Sequence, residues 1–129
     1  MLENNEKIEG KSPFAKLRHI AIVVKDIERA VQFYTSVGVG PFMTPPKRVH
    51  HTEAYVSRMF RGKAMGTVEL LVRETNIGPI VLQLVQAVSG DCVEKEFLDK
   101  HGEGVQHLGF SVDDLDQEED KALKLGLKI

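Results

Sequence analysis

Residues 104–129 read GVQHLGFSVDDLDQEEDKALKLGLKI, and residues 16–40 read KLRHIAIVVKDIERAVQFYTSVGVG. One lies over the other at a constant offset of 88 positions. His19 meets His107, Ile20 meets Leu108, Ala21 meets Gly109, Asp26 meets Asp114 and Ile27 meets Leu115. Val37-Gly38-Val39 meets Leu125-Gly126-Leu127 without a gap. One offset that keeps an apolar pattern, a histidine, an aspartate and a glycine marks an internal repeat, and a repeat constrains the architecture before any single element is read.

The first copy can be followed outward from that stretch. Leu17 to Val24 is apolar and rich in β-branched residues, which predicts a largely buried strand. Asp26 is placed to cap a helix, with Arg29 where a capping-box Glu would sit. Ile27, Ala30, Val31 and Tyr34 keep helical spacing until Val37-Gly38. Residues 41–46 form a turn-rich link, and His50 to Met59 is a candidate second strand. Thr67 to Arg73 and Pro79 to Gln86 predict two strands across a short loop, Glu74 to Gly78. Asp91 to His101 predicts a short helix with Val93, Phe97 and Leu98 on one face, ended by Gly102 and Gly104.

The first copy therefore reads strand, helix, three strands; the second reads strand, helix. The expectation is an α+β fold of paired βαβββ modules, the second incomplete in the given chain. Residues 1–15 are expected to be a flexible N-terminal tail and 16–129 the folded domain. Within it, module one spans about 16–88, a linking helix about 91–101, and the start of module two 104–129. The strands that complete module two are expected from a longer natural chain or from another chain. An open sheet edge needs cover, so a homodimer is expected.

With 129 residues, one domain is the prior. Hydrophobic content of 42% and charged content of 28% fit a soluble globular chain. A net charge of −2 with no basic stripe argues against nucleic acid as a partner, and no apolar run reaches the length of a membrane span. The N-terminal stretch MLENNEKIEGKSPFAK lacks the apolar core of a secretory signal. Cys92 is the single cysteine, which rules out an internal disulfide and fits a reducing cytoplasm.

A lone histidine in a strand is ordinarily a hydrogen-bonded core or edge residue. His19 and His107 are not alone, because they occupy equivalent places near the start of each copy's first strand. Two modules related by a pseudo-twofold would turn both imidazoles into one cleft, and imidazole is the commonest protein ligand for a transition metal. Gln83 interrupts the apolar run IVLQLVQ, where a buried amide without partners costs about 1–3 kcal/mol. Gln86 is expected at the strand end, exposed. If Arg73 pairs with Pro79, Glu69 falls opposite Gln83 on one face; otherwise it is a solvated strand residue.

RHIAIVVKDIERAVQFY followed by GVQHLGFSVDD resembles the vicinal oxygen chelate superfamily: glyoxalase I, methylmalonyl-CoA epimerase, extradiol dioxygenases and bleomycin-resistance proteins. Its fold is paired βαβββ modules, and the resemblance runs from about Leu17 to Ile129. Within the superfamily the sequence looks most like methylmalonyl-CoA epimerase. That likeness implies a divalent metal ion (Co, Ni, Mn or Zn) held by His19, matched through RHIAIVV, Gln83, through LQLVQ, and His107, through QHLGFSVDD. A fourth ligand, a Glu, is implied beyond Ile129. The context TVELLV implies that Glu69 is the proton-transfer base.

The implied activity is 1,1-proton transfer at C2 of methylmalonyl-CoA through a metal-stabilised enolate, with an acyl-CoA as the small-molecule partner. A glyoxalase I-type lyase acting on a glutathione hemithioacetal is the alternative, although that family generally has Glu where Gln83 stands. A non-catalytic small-molecule binding protein of the same fold is a further one. Arg58, Arg61 and Lys63 form the densest basic cluster, either a contact for CoA phosphates or a solvated face. His50, His51 and His101 have no repeat equivalents and read as surface or loop residues.

Overall fold

A computed structural model of the chain describes residues 12–45, 59–60, 63–64 and 66–128. In order, the elements are β1 (Leu17–Val23), α1 (Ile27–Ser36), two two-residue strands, β2 (Met59–Phe60) and β3 (Lys63–Ala64), then β4 (Glu69–Ile77), β5 (Ile80–Ser89), α2 (Val93–His101), β6 (Gly104–Phe110) and α3 (Leu115–Lys124). Four strands form one mixed sheet in the order β4-β5-β1-β6. β1 runs parallel to β5 and antiparallel to β6, and β4 and β5 form an antiparallel hairpin. This is the α+β class expected. The expected tail lies outside the described residues as far as Lys11, and the expected strand from His50 does so as far as Arg58.

The repeat is visible in the backbone. α1 and α3 begin 88 residues apart, at Ile27 and Leu115, and end 88 apart, at Ser36 and Lys124. Their N-caps have nearly the same extended geometry: Asp26 at φ −138°, ψ 107° and Asp114 at φ −140°, ψ 103°. Asp26 Oδ1 accepts from the amides of Glu28 and Arg29, and Asp114 Oδ1 from that of Gln117, satisfying donors a helix start leaves open. Gly38 and Gly126 follow the two helices with φ of 92° and 84°, the left-handed exit that a side chain disfavours.

The two copies meet along β1 and β6. Ile20 pairs with Leu108, its own repeat equivalent. On either side the pairs are reciprocal: Ala21 opposite His107, and His19 opposite Gly109. Such a register has a local pseudo-twofold axis through the Ile20–Leu108 pair.

One face of the sheet carries α1. Ile27, Val24 and Leu84, all at most 3% exposed, form its core, with Ile22, Val31, Tyr34 and Leu71 packed around them. Fully burying one such side chain is worth about 1.5–3 kcal/mol. Arg73 Nη2 reaches Glu28 Oε1 at 2.9 Å and ties α1 to β4. Gln86 belongs to the same face. It is half-buried rather than exposed, because β5 continues to Ser89 and the Gln86 Oε1 accepts from the Ile27 amide at 2.9 Å.

The β4–β5 register corrects a second expectation. Glu74 to Ile77 continue β4 instead of forming a loop, and the connection shrinks to Gly78-Pro79, with Gly78 at φ 56°. A two-residue connection beginning with Gly is a favoured hairpin turn. Consequently Ile77 pairs with Ile80 and Glu74 with Gln83, while Glu69 lies opposite Ser89 beyond a bulge.

Candidate metal centre

Side chains alternate between the faces of a strand, so the strand register fixes what faces away from α1. One row crosses the sheet as Glu74, Gln83, Ala21 and His107. His19 stands two residues along β1 from Ala21, on the same face. The structure thus gathers His19, Gln83 and His107 on one surface, with Ala21 as a methyl-sized floor between them. Adjacent strands lie about 4.8 Å apart, so the Gln83 and His107 backbones stand about two strand spacings apart, on either side of Ala21.

The two imidazoles meet closely. His19 Nε2 lies 3.0 Å from His107 Nε2, and the rings stand edge to face at 86°. The His19 ring lies over Gly109, its cross-strand partner in the other copy. The His19 ring occupies the space a Cβ at position 109 would need, so any side chain there would have to displace the ring. His107 Nδ1 faces the Gln106 Oε1, which can only accept. Donation from His107 Nδ1 to that oxygen would leave the Nε2 lone pair on the side of His19. Burial pushes the His107 imidazole below its ordinary value; the neighbouring His19 adds to this, while the Glu94 carboxylate pulls the other way.

The donor set suits a divalent transition metal. Two imidazoles whose Nε2 atoms converge would hold such an ion, and His19 Nε2 and His107 Nε2 do converge, 3.0 Å apart. Among the described residues no three of His, Cys, Asp and Glu come together; the third donor on this face is an amide oxygen.

Gln83 Nε2 donates to Glu74 Oε1 at 2.8 Å. Local polarity makes Glu74 look like loop in the sequence; the Gly78-Pro79 turn is the signal that places it on the strand instead. Glu69 is exposed and is not brought beside Gln83. Five steps along the strand separate it from Glu74, about 17 Å at a rise of ~3.4 Å each.

Away from this face, a cavity of about 660 Å³ lies under α1, lined by Ile22, Val24, Arg29 and Tyr34 and rimmed by Lys25 and Glu103. It contains none of the three donors. Of the basic cluster, Lys63 is exposed, and Arg58 and Arg61 lie outside the described residues. His101 is exposed at the end of α2. Cys92 is buried, and that burial raises its thiol pKa. Among the described residues no helix is long and apolar enough to cross a membrane.

Several solved structures share this fold. Methylmalonyl-CoA epimerase from Mycobacterium tuberculosis superposes with a TM-score of 0.62 at 20% identity, over 95% of this chain and 71% of that one. A variant of the Streptomyces coelicolor methylmalonyl-CoA epimerase, in complex with 2-nitronate-propionyl-CoA, gives 0.60 at 24%, over 91% and 75%. A mutant 4-hydroxymandelate synthase from Streptomyces coelicolor gives 0.60 at 23%, over 88% of this chain and 30% of that one. At these identities the likeness is one of fold. No curated protein matches the chain. The family model described as Glyoxalase/Bleomycin resistance protein/Dioxygenase superfamily matches residues 18–129. With the repeated strand–helix unit and its match over nearly the whole length, the chain belongs to the glyoxalase/bleomycin resistance/dioxygenase superfamily.

Proposed function

We propose that His19, Gln83 and His107 hold a divalent metal ion and that the protein is an isomerase of the methylmalonyl-CoA epimerase type. The observation that carries this is the meeting of the His19 and His107 Nε2 atoms at 3.0 Å on the face that also bears Gln83. The epimerases among the structural neighbours support the reading, one of them in complex with methylmalonyl-CoA. The fold alone would not, since one fold serves many reactions.

A divalent cation, when bound, supplies Lewis acidity toward an oxygen on which charge builds as a neighbouring C–H proton leaves. The chain's own part is to aim donors and exclude water. Donation to Gln106 would keep the proton of His107 on Nδ1, leaving Nε2 free to coordinate. Ala21 and Gly109 keep the floor low so that both rings reach the centre. The resemblance implies Glu69 as the base; here it stands about 17 Å along β4 from Glu74, beyond direct reach of a carbon bonded to a metal-held carbonyl, so the Glu69→Ala variant decides whether it takes any part.

The test is deuterium entry at C2 of methylmalonyl-CoA in D₂O with the Co²⁺-loaded protein. Rapid entry, abolished by His107→Ala, is expected. No entry with cobalt still bound would sink the epimerase reading and turn the search to hemithioacetal substrates. Exchange unchanged in Glu69→Ala would remove Glu69 as the base.

A further inference from the structure

The side-chain amide of Gln83 has two ends, and only one can serve a cation. The carbonyl oxygen has lone pairs to give; the NH₂ group is a donor and has none available. Rotation of the amide by half a turn would present the wrong end to His19 and His107. Something must choose between the two orientations, and Glu74 is the group in place to do so. Its Oε1 lies 2.8 Å from Gln83 Nε2, directly across the β4–β5 pair. A carboxylate oxygen that accepts can be satisfied there only by the NH₂ end. With the NH₂ end taken by Glu74, the carbonyl oxygen is the end of the amide left to serve a cation.

Glu74 is itself held on both flanks. Across the sheet it pairs with Gln83, and on its outer side its backbone exchanges two hydrogen bonds with Met43, at 2.7 and 2.8 Å. The carboxylate therefore projects from a backbone fixed in register. Side chains on strands braced in this way aim partners more reliably than side chains on free edges.

We propose that Glu74 is a positioning residue: it fixes the Gln83 amide with its carbonyl oxygen toward the two histidines and so completes the third corner of the metal site. This rests on the metal-site reading above, and the experiment separates the two. Co²⁺ affinity and the visible spectrum of the Co²⁺ form are measured for the parent, Glu74→Leu, Glu74→Gln and Gln83→Ala, with far-UV circular dichroism and thermal melting to check folding.

Glu74→Leu is expected to weaken Co²⁺ binding ~10–100-fold, the range for loss of an outer hydrogen-bond partner, and to move the spectrum toward that of Gln83→Ala. Glu74→Gln keeps an acceptor oxygen and is expected to recover most of the loss. A parent that binds no cobalt overturns both readings. A parent that binds, with Glu74→Leu folded and unchanged in affinity and spectrum, overturns the orienting role alone. Should Glu74→Leu fail to fold, the Glu74→Gln form carries the test through its side-chain amide NMR: a Gln83 NH₂ no longer held in a hydrogen bond, with metal affinity intact, overturns the proposal.

Discussion

Gly109 has no side chain because the His19 ring stands where one would begin. An alanine there forces the ring aside or the strands apart. Overpacking of this kind typically costs about 1–3 kcal/mol, so Gly109→Ala should lower the denaturant midpoint and weaken Co²⁺ uptake in parallel. Retained metal affinity would show that the imidazole has a second productive rotamer. The repeat made His19 and His107 legible in the sequence, since a shared offset marks both as equivalent. Gln83 was legible as a polar residue in an apolar run. Glu74 was not, because Glu-Thr-Asn reads as loop on local polarity. In the fold these residues lie on an edge strand, where a polar face is tolerated while Thr75 is buried beneath it.

At the scale of elements, the two capped helices look alike and are fastened differently. Ile27 of α1 is 1% exposed, whereas its equivalent in α3, Leu115, is 69% exposed, and no residue of α3 is buried. A ten-residue helix is marginal without tertiary packing. Removing the cap of α1 should therefore be felt by the whole domain, and removing that of α3 only locally. Asp26→Ala is expected to cost about 1 kcal/mol in global unfolding, and Asp114→Ala to leave the global transition near the parent value while reducing helical signal. Equal global losses would show α3 to be an integral part of the cooperative unit. Strand and helix identities followed from periodicity. Register did not, because one choice of turn displaced every β4–β5 pair: moving the connection to Gly78-Pro79 replaced Glu69 with Glu74 opposite Gln83.

Taken as a whole, the molecule shows large apolar side chains exposed in and after α3 and on β6. Leu115, Leu123, Leu125 and Leu127 are all more than half exposed, as are Val105 and Leu108 on the edge strand β6. Apolar surface of this kind marks an interaction site or an association hazard. A homodimer is the expected state, to be read by sedimentation velocity across a concentration series. A monomer at all concentrations would remove the homodimer from the functional reading.

The pairing of Ile20 with Leu108 puts the two histidines astride the seam between the repeats, one rooted in each. A cation gripped by both would act as a rivet through that seam, so that occupancy of the site and closure of the β1–β6 joint become a single event. Stripping the ion would then loosen the join between the two copies before it loosened either copy internally.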